Sequence, residues 1–158
     1  EACAAMGLAN LDAMPEVIAA NRRNYSDYAQ QFASVDGAEL ISYDPEGNSH
    51  HYVVAELADG FPASRDEVIA TLHAENILAR KYFWPGCHRM EPYRSLYPYA
   101  GLLLPETERI AARVIVLPTG TAMGLPEVQA VCQIIATAVR HAGEVKAALF
   151  ARAGSQPA

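Results

Sequence analysis

Residues 79–93 read ARKYFWPGCHRMEPY, and this stretch combines strand-forming residues with a sharp turn. The residues just before and inside it favour a pleated, partly buried surface, so we predict a buried strand over 77–83. Pro85 and Gly86 then end the strand, because proline cannot donate to a sheet and glycine permits a sharp change of direction. Polar side chains just beyond a strand end, such as that of His88, are well placed to meet a ligand.

Two helices are expected ahead of this strand. Residues 1–9 are rich in alanine and predict a short helix that closes near Gly7 to Asn10. Asp12 can then cap a second helix that reaches about Ser34. Residues at spacings of three and four along this second helix predict a stripe that faces the core. They are Val17, Asn21, Tyr25, Tyr28 and Phe32.

Short strands and helices alternate over the rest of the chain. We predict strands at 38–43 and 51–57, and we expect them to be antiparallel because the turn cluster at 44–48 makes a short connection. A helix is predicted from the Ser64/Glu67 capping box to about Asn76. Loops and short helical turns are expected over 88–103, a helix over 105–113 and a strand over 114–117. A last helix is predicted from Pro126 to about Phe150, with its core stripe formed by Val128, Val131, Cys132, Ile135 and Val139.

These elements predict an α+β fold, an α/β sandwich in which helices cover a small, mostly antiparallel sheet. Residues 1–150 are expected to form one domain, with linking helices over 1–36 and a small α/β domain over 37–150. Residues 151–158 are expected to be a flexible tail.

The composition excludes several classes of function. A net charge of −6 argues against a nucleic-acid surface, which is normally basic, and provides no polybasic anchor for acidic lipids. The chain has no apolar run near the roughly 20 residues of a membrane-spanning helix, and its first residues do not form a signal peptide. Three cysteines without metal-ligand spacing indicate reduced thiols, so we expect a cytoplasmic protein.

Three motifs lie in and after the opening stretch: Tyr82-Phe83-Trp84-Pro85-Gly86-Cys87-His88, Leu104-Pro105-Glu106-Thr107-Glu108 and Val116-Leu117-Pro118. Together they resemble the C-terminal portion of the DegT/DnrJ/EryC1/StrS family of PLP-dependent sugar aminotransferases. The resemblance runs from Glu1 to about Val139. It implies the C-terminal small domain of a fold-type-I PLP aminotransferase, preceded by a long helix that links it to a large domain.

The resemblance also implies where the cofactor chemistry lies. In the family, the Schiff-base lysine, the aspartate at the pyridine nitrogen and most phosphate ligands belong to the large PLP-binding N-terminal domain, which is absent here. The lysines of this chain, Lys81 and Lys146, lack the neighbours of a PLP site. PLP is therefore expected in the parent family and not on this chain alone. The start of the chain, without an initiator Met and already helix-forming, predicts a truncated protein.

His88 is the first candidate substrate-binding residue, because an imidazole past a strand end can hydrogen-bond a hydroxyl, a phosphate or a carboxylate. The alternative is a loop histidine bonded to a backbone carbonyl. The resemblance implies that a histidine at this place lines the sugar-nucleotide pocket. Trp84, Tyr82 and Arg80 are further candidates, and a sugar face stacks well on an aromatic ring such as Trp84. Their alternatives are core aromatics and a surface cation.

Other chemistry is disfavoured. Cys87 and His88 are neighbours on an extended chain and point to opposite sides, which argues against a catalytic pair. His50 and His51 lack metal-ligand spacing with the cysteines and are expected at the exposed start of a strand. Glu106 and Glu108 lie in the first turn of a helix, where they suit the helix dipole.

The sequence therefore predicts the C-terminal domain of a nucleotide-sugar aminotransferase that is inactive alone and belongs to a homodimer. By resemblance, the parent enzyme passes an amino group from glutamate through PLP to a ketone of a nucleotide-linked deoxysugar. Two alternatives stay open. One is a free-standing, non-catalytic module that binds a sugar nucleotide or pairs through Tyr25, Tyr28 and Phe32. The other is a parent dehydratase of the same family.

Overall fold

A four-stranded antiparallel sheet is the centre of the fold in the computed structural model, which describes residues 1–44 and 47–153. Its strands are β1 (Ala38–Leu40), β2 (Val53–Leu57), β3 (Arg80–Lys81) and β4 (Val114–Leu117). They lie in the order β1-β2-β4-β3, and each neighbouring pair is antiparallel. The predicted fold class and the antiparallel pairing of the first two strands are confirmed. Residues 45 and 46 of the predicted turn cluster lie outside the described residues.

The first three strands are shorter than predicted. The buried strand expected over 77–83 pairs with β4 only at Arg80 and Lys81. Leu78 is 66% exposed, and Phe83 has a positive φ of 44° that turns the chain out of the sheet. Strand-forming side chains favour an extended backbone, but the available partner strand decides how much of it is paired.

A single helix, α1 (Ala2–Phe32), replaces the two helices predicted at the start of the chain. It runs without a break through Gly7, Asn10 and Pro15, so Asp12 is not a cap. Glycine and asparagine each cost a helix about 1 kcal/mol or less, and the surrounding alanine, leucine and methionine residues offset that cost.

The second half of α1 packs into the core, as its stripe predicts. Tyr28 and Phe32 are buried, and Tyr25 packs against the same cluster. Asn24 donates from Nδ2 to Oγ1 of Thr119 at 3.2 Å and to the carbonyl of Gly120 at 2.9 Å, which fixes the helix to the loop after β4. Because Tyr28 and Phe32 are already used inside the molecule, they are not available for the self-association considered above.

The remaining long helices pack around α6 (Leu125–Arg140), which also contacts α1. Helix α2 (Arg65–Ala74) begins with the predicted capping box, in which Ser64 and Glu67 bond each other reciprocally. The predicted last helix is two helices, α6 (Leu125–Arg140) and α7 (Ala142–Ala153), separated at His141. The predicted core residues of α6 are buried except Val139, which is only half-buried, and Ala138 is buried next to it. Residues 151–153 are helical instead of a tail, and residues 154–158 lie outside the described residues.

Alternation along the strands gives the sheet two faces. Val53, Ala55, Ile115 and Leu117 belong to the helix-packed core. Val114 lies on the opposite side of β4, towards the excursion between β3 and β4. That excursion contains the predicted short turns: a 3-10 turn at Cys87–Arg89, α3 (Tyr93–Leu96), α4 (Ala100–Leu103) and α5 (Pro105–Ala111).

None of the described helices is both long and apolar enough to cross a membrane.

Candidate functional site

The chain turns sharply after β3, and this turn carries His88. Gly86 has a φ of 94°, a conformation that glycine adopts without steric cost. Its carbonyl accepts the N–H of Arg89 at 3.0 Å, which closes the 3-10 turn over Cys87–Arg89. The turn leaves the imidazole of His88 next to α5.

Glu108 connects this turn to α5. Its Oε1 atom lies 2.6 Å from Nε2 of His88 and 2.6 Å from Nε of Arg89. The side chain of His88 is only 8% exposed, whereas that of Arg89 is 53% exposed. Glu108 lies in the first turn of α5, as the sequence predicts. One carboxylate oxygen therefore holds the turn after β3 against α5.

The electrostatics of this cluster keep Glu108 ionised. The hydrogen bond from Arg89, followed by the one from His88, lowers the pKa of Glu108 to about 2. In return, the Glu108 carboxylate raises the pKa of the Arg89 guanidinium. An ionised carboxylate can only accept hydrogen bonds, so both neighbours donate to it.

Two glycines leave the space that the cluster occupies. A Cβ added at Gly86 would lie 2.9 Å from Cε1 of His88. A Cβ added at Gly101, in α4, would lie 2.9 Å from Oε1 of Glu108. Both separations are shorter than real Cβ contacts. The His88 imidazole and the Glu108 carboxylate are held in place by hydrogen bonds and cannot easily move away. The backbone thus approaches the imidazole and the carboxylate as only glycine allows.

A cavity of about 910 Å³ lies beside the cluster. Its wall is mainly aromatic and aliphatic, with His88, Glu106 and Thr107 as polar members. The aromatic members are Tyr82, Phe83, Tyr93 and Tyr97, and the aliphatic ones include Leu104, Ile110 and Val114. An apolar cavity with a few convergent polar groups suits a small organic ligand.

The structure brings two of the four predicted site residues to this cavity. His88 and Tyr82 line it, and the ring of Tyr82 also meets that of Phe83 edge-on at 4.4 Å. Arg80 is exposed in β3 and does not line the cavity. Trp84 also lies outside it.

Two cationic side chains instead pack on the ring of Trp84. The guanidinium carbon of Arg65 lies 4.3 Å from the ring centroid, and Nζ of Lys81 lies 5.4 Å from it. Arg65 is buried, pairs with Asp66 and donates to the carbonyl of Ala111. A substrate-binding role for Trp84 and Arg80 stays a prediction.

Over the described residues, neither a group of metal ligands nor a cysteine–histidine pair is formed. Among the described residues, no group of three or more His, Cys, Asp or Glu side chains could hold a metal ion. Nε2 of His88 is committed to Glu108, and Cys87 is exposed. His50, expected at an exposed strand start, is instead 4% exposed, between Tyr25 and Tyr43.

Comparison with known proteins places these features in a family. The sequence model of the DegT/DnrJ/EryC1/StrS aminotransferase family matches residues 1–136. The chain belongs to this family. This confirms the resemblance carried by the motifs around His88 and Glu108.

Two relatives and one solved structure show how much of the family's length is present. A dTDP-4-amino-4,6-dideoxy-D-glucose transaminase of Escherichia coli is 32% identical over 119 residues, which are 75% of this chain and 32% of that protein. A dTDP-4-dehydro-2,3,6-trideoxy-D-glucose 4-aminotransferase of Saccharopolyspora spinosa is 29% identical over 140 residues, 87% of this chain and 34% of that protein. The crystal structure of DesI in the presence of its TDP-sugar product superposes with a TM-score of 0.83 at 43% identity and covers 93% of this chain and 37% of DesI. The chain thus spans about a third of the length of these relatives.

The cofactor of this aminotransferase family needs a lysine for its Schiff base, and both lysines of the chain are placed away from the cavity. Lys81 donates to Oδ2 of Asp66 at 2.9 Å, on the side of Trp84. Lys146 is exposed in α7. Neither lysine lines the cavity.

Sequence reasoning missed the part that Glu108 plays within the family motif Leu104-Pro105-Glu106-Thr107-Glu108. The helix-dipole argument accounts for both glutamates and does not separate them. In the structure Glu106 pairs with Arg109 at the surface, whereas Glu108 points back to the turn after β3. The available signal was Gly101 together with Gly86, since unexplained glycines on two facing segments indicate a close approach.

Proposed function

We propose that this chain is the sugar-binding C-terminal part of a PLP-dependent nucleotide-sugar aminotransferase. The single observation that carries the proposal is the cavity between β3 and α5, which has an aromatic wall and a histidine on it. Family membership supports the reaction class, and the relatives named above support a dTDP-linked sugar as the ligand.

The residues of the chain would hold the sugar and shield it. The rings of Tyr82, Phe83 and Tyr97 offer apolar faces against which the C–H side of a pyranose can lie. His88 supplies a hydrogen-bonding group next to them. The same wall would cover one side of the bound sugar and reduce its contact with water.

The cofactor would be held elsewhere in the parent enzyme. When bound, PLP carries the amino group from the donor to the sugar ketone. Because Lys81 is paired with Asp66 and Lys146 is exposed on α7, we propose that the covalent anchor is not among the residues given. The chain alone is then expected not to transaminate. The homodimer and the cytoplasmic location remain predictions.

A titration with dTDP-D-glucose, followed by amide NMR, tests the proposal. Shifts confined to the cavity-lining segments 82–88, 93–100 and 104–114 are expected. Ala100, which lines the cavity, provides a blocking variant, and Leu103, in the same helix but 80% exposed, provides the control. Ala100→Phe should weaken binding about tenfold or more while Leu103→Phe leaves it unchanged. Shifts only outside these segments, or none at saturating ligand, would overturn the proposal.

A further inference from the structure

The ring of His88 has two nitrogens, and Glu108 contacts one of them. Nε2 lies 2.6 Å from Oε1 of Glu108. Since a carboxylate can only accept, Nε2 must carry a proton. Glu108 is ionised at neutral pH, because its two hydrogen bonds lower its pKa to about 2.

The second nitrogen, Nδ1, lies on the Gly86 side of the ring. A Cβ at position 86 would lie 3.0 Å from Nδ1 and 2.9 Å from Cε1, so any larger residue would crowd this edge. His88 also lines the 910 Å³ cavity. In a neutral imidazole with its proton on Nε2, Nδ1 keeps a lone pair and is an acceptor.

Glu108 is in turn held in place. Nε of Arg89 donates to the same Oε1 atom at 2.6 Å, and the backbone of Gly101 approaches that oxygen closely. The carboxylate therefore has little freedom to rotate away from His88. A fixed acceptor on Nε2 selects one tautomer and one orientation of the imidazole.

We propose that Glu108 is a positioning residue: it fixes His88 with Nε2–H donated to the carboxylate and Nδ1 as an acceptor for a ligand hydroxyl. This inference rests on the proposed function and specifies which part of the nucleotide sugar His88 contacts. Of the three partners that an imidazole could take here, a hydroxyl can donate to Nδ1, whereas an ionised phosphate or carboxylate cannot. The contact from His88 is thus to the sugar and not to the diphosphate.

Long-range ¹⁵N–¹H NMR of the histidine rings tests the positioning step without any ligand, at pH 8 and with the His88 signals assigned from a His88→Gln variant. We expect the wild-type ring to be protonated at Nε2 only. Glu108→Ala should give a mixture of tautomers, while Glu108→Gln, whose amide oxygen can still accept from Nε2–H, should restore the wild-type pattern. A merely structural ion pair with Arg89 would be lost in both variants. Glu106→Ala, in the same helix turn, is the matched control and should leave the ring unchanged.

A ring protonated at Nδ1, or at both nitrogens, in the wild type would overturn the inference. So would an unchanged tautomer in Glu108→Ala, once its amide spectrum shows that it is folded. Binding then tests the hydroxyl contact: Glu108→Ala should reduce the preference for dTDP-D-glucose over dTDP about fivefold and leave the affinity for dTDP itself unchanged. If dTDP-D-glucose does not bind the wild type, the proposed function fails while the tautomer result still decides the positioning role.

Discussion

The Nε2 atom of His88 lies 2.6 Å from Oε1 of Glu108, and this contact ties the turn after β3 to the helix before β4. This contact should make the free energy of unfolding depend on pH in the acid range. The folded pKa of Glu108 is about 2, against 4.5 for the ordinary side chain. Its contribution is therefore complete above about pH 4.5 and is lost as the pH falls towards 2.

Glu108→Gln should remove this contribution. Across that interval, the free energy of unfolding measured with urea should fall less steeply for Glu108→Gln than for the wild type. Glu106→Gln is the control, since Glu106 is 78% exposed and pairs only at the surface with Arg109. Equal slopes for the wild type and Glu108→Gln would contradict the prediction.

Gly101 should resist substitution more than another helical glycine. Gly7, in α1, has no atom within 4 Å of an added Cβ, so Gly7→Ala should stabilise the protein by about 0.5–1 kcal/mol. At Gly101 the new methyl group would meet the Glu108 carboxylate, and Gly101→Ala should therefore lose that gain or destabilise. Urea unfolding compares the two variants, and an equal stabilisation in both would argue against a crowded cluster.

The buried ring of His50 should make the protein less stable at mildly acidic pH. Neither ring nitrogen has a hydrogen-bond partner among the described residues. Burial, followed by the charge of Arg22, lowers the pKa of His50. Below about pH 6.5 the unfolded chain takes up a proton that the folded state resists, so stability falls as the pH drops.

Thermal melts at about pH 7.5 and 5.5 check this effect. His50→Asn is chosen because asparagine tolerates the positive φ of 49° at this position. The drop in melting temperature from about pH 7.5 to 5.5 should be a few degrees smaller in His50→Asn than in the wild type. His51→Asn, at the exposed neighbouring residue, is the control. A wild-type pH response in His50→Asn would refute the assignment.

Asn24 should contribute strongly to holding α1 on the domain. It is buried at 2% exposure, and its amide donates to Thr119 and Gly120. Asn24→Ala leaves these acceptors unpaired and should cost about 1–3 kcal/mol in urea unfolding. Asn10→Ala, at an exposed site of the same helix, should be neutral or slightly stabilising. Equal effects of the two substitutions would show that the buried hydrogen bonds contribute little.

Local pattern predicted most of the fold. Periodicity and short-range geometry can be read from the sequence. They were sufficient to predict the core stripes on α1 and α6, the Ser64 capping box and the antiparallel first strands. The errors arose where competing local preferences were close in energy. The helix breakers at Gly7 and Asn10 were outweighed by their neighbours, and the extended segment around β3 was paired only where β4 reached it.

The site was only partly predictable for a different reason. His88 could be identified because it follows a strand end, and its motif placed it in a family. Its pairing with Glu108 depends on a tertiary turn between segments twenty residues apart. The contact between the ring of Trp84 and the buried Arg65 is likewise a tertiary contact between distant segments, which the sequence around Trp84 does not indicate.

Calorimetry tests the assignment of the sugar site to His88. It compares the affinity of dTDP-D-glucose for the wild-type protein and for His88→Ala, with dTDP as the reference ligand. The wild type should bind the nucleotide sugar more tightly than dTDP. His88→Ala should lose about fivefold in affinity for the sugar nucleotide and nothing for dTDP. A His88→Ala protein that binds dTDP-D-glucose as tightly as the wild type would contradict the assignment of the sugar site.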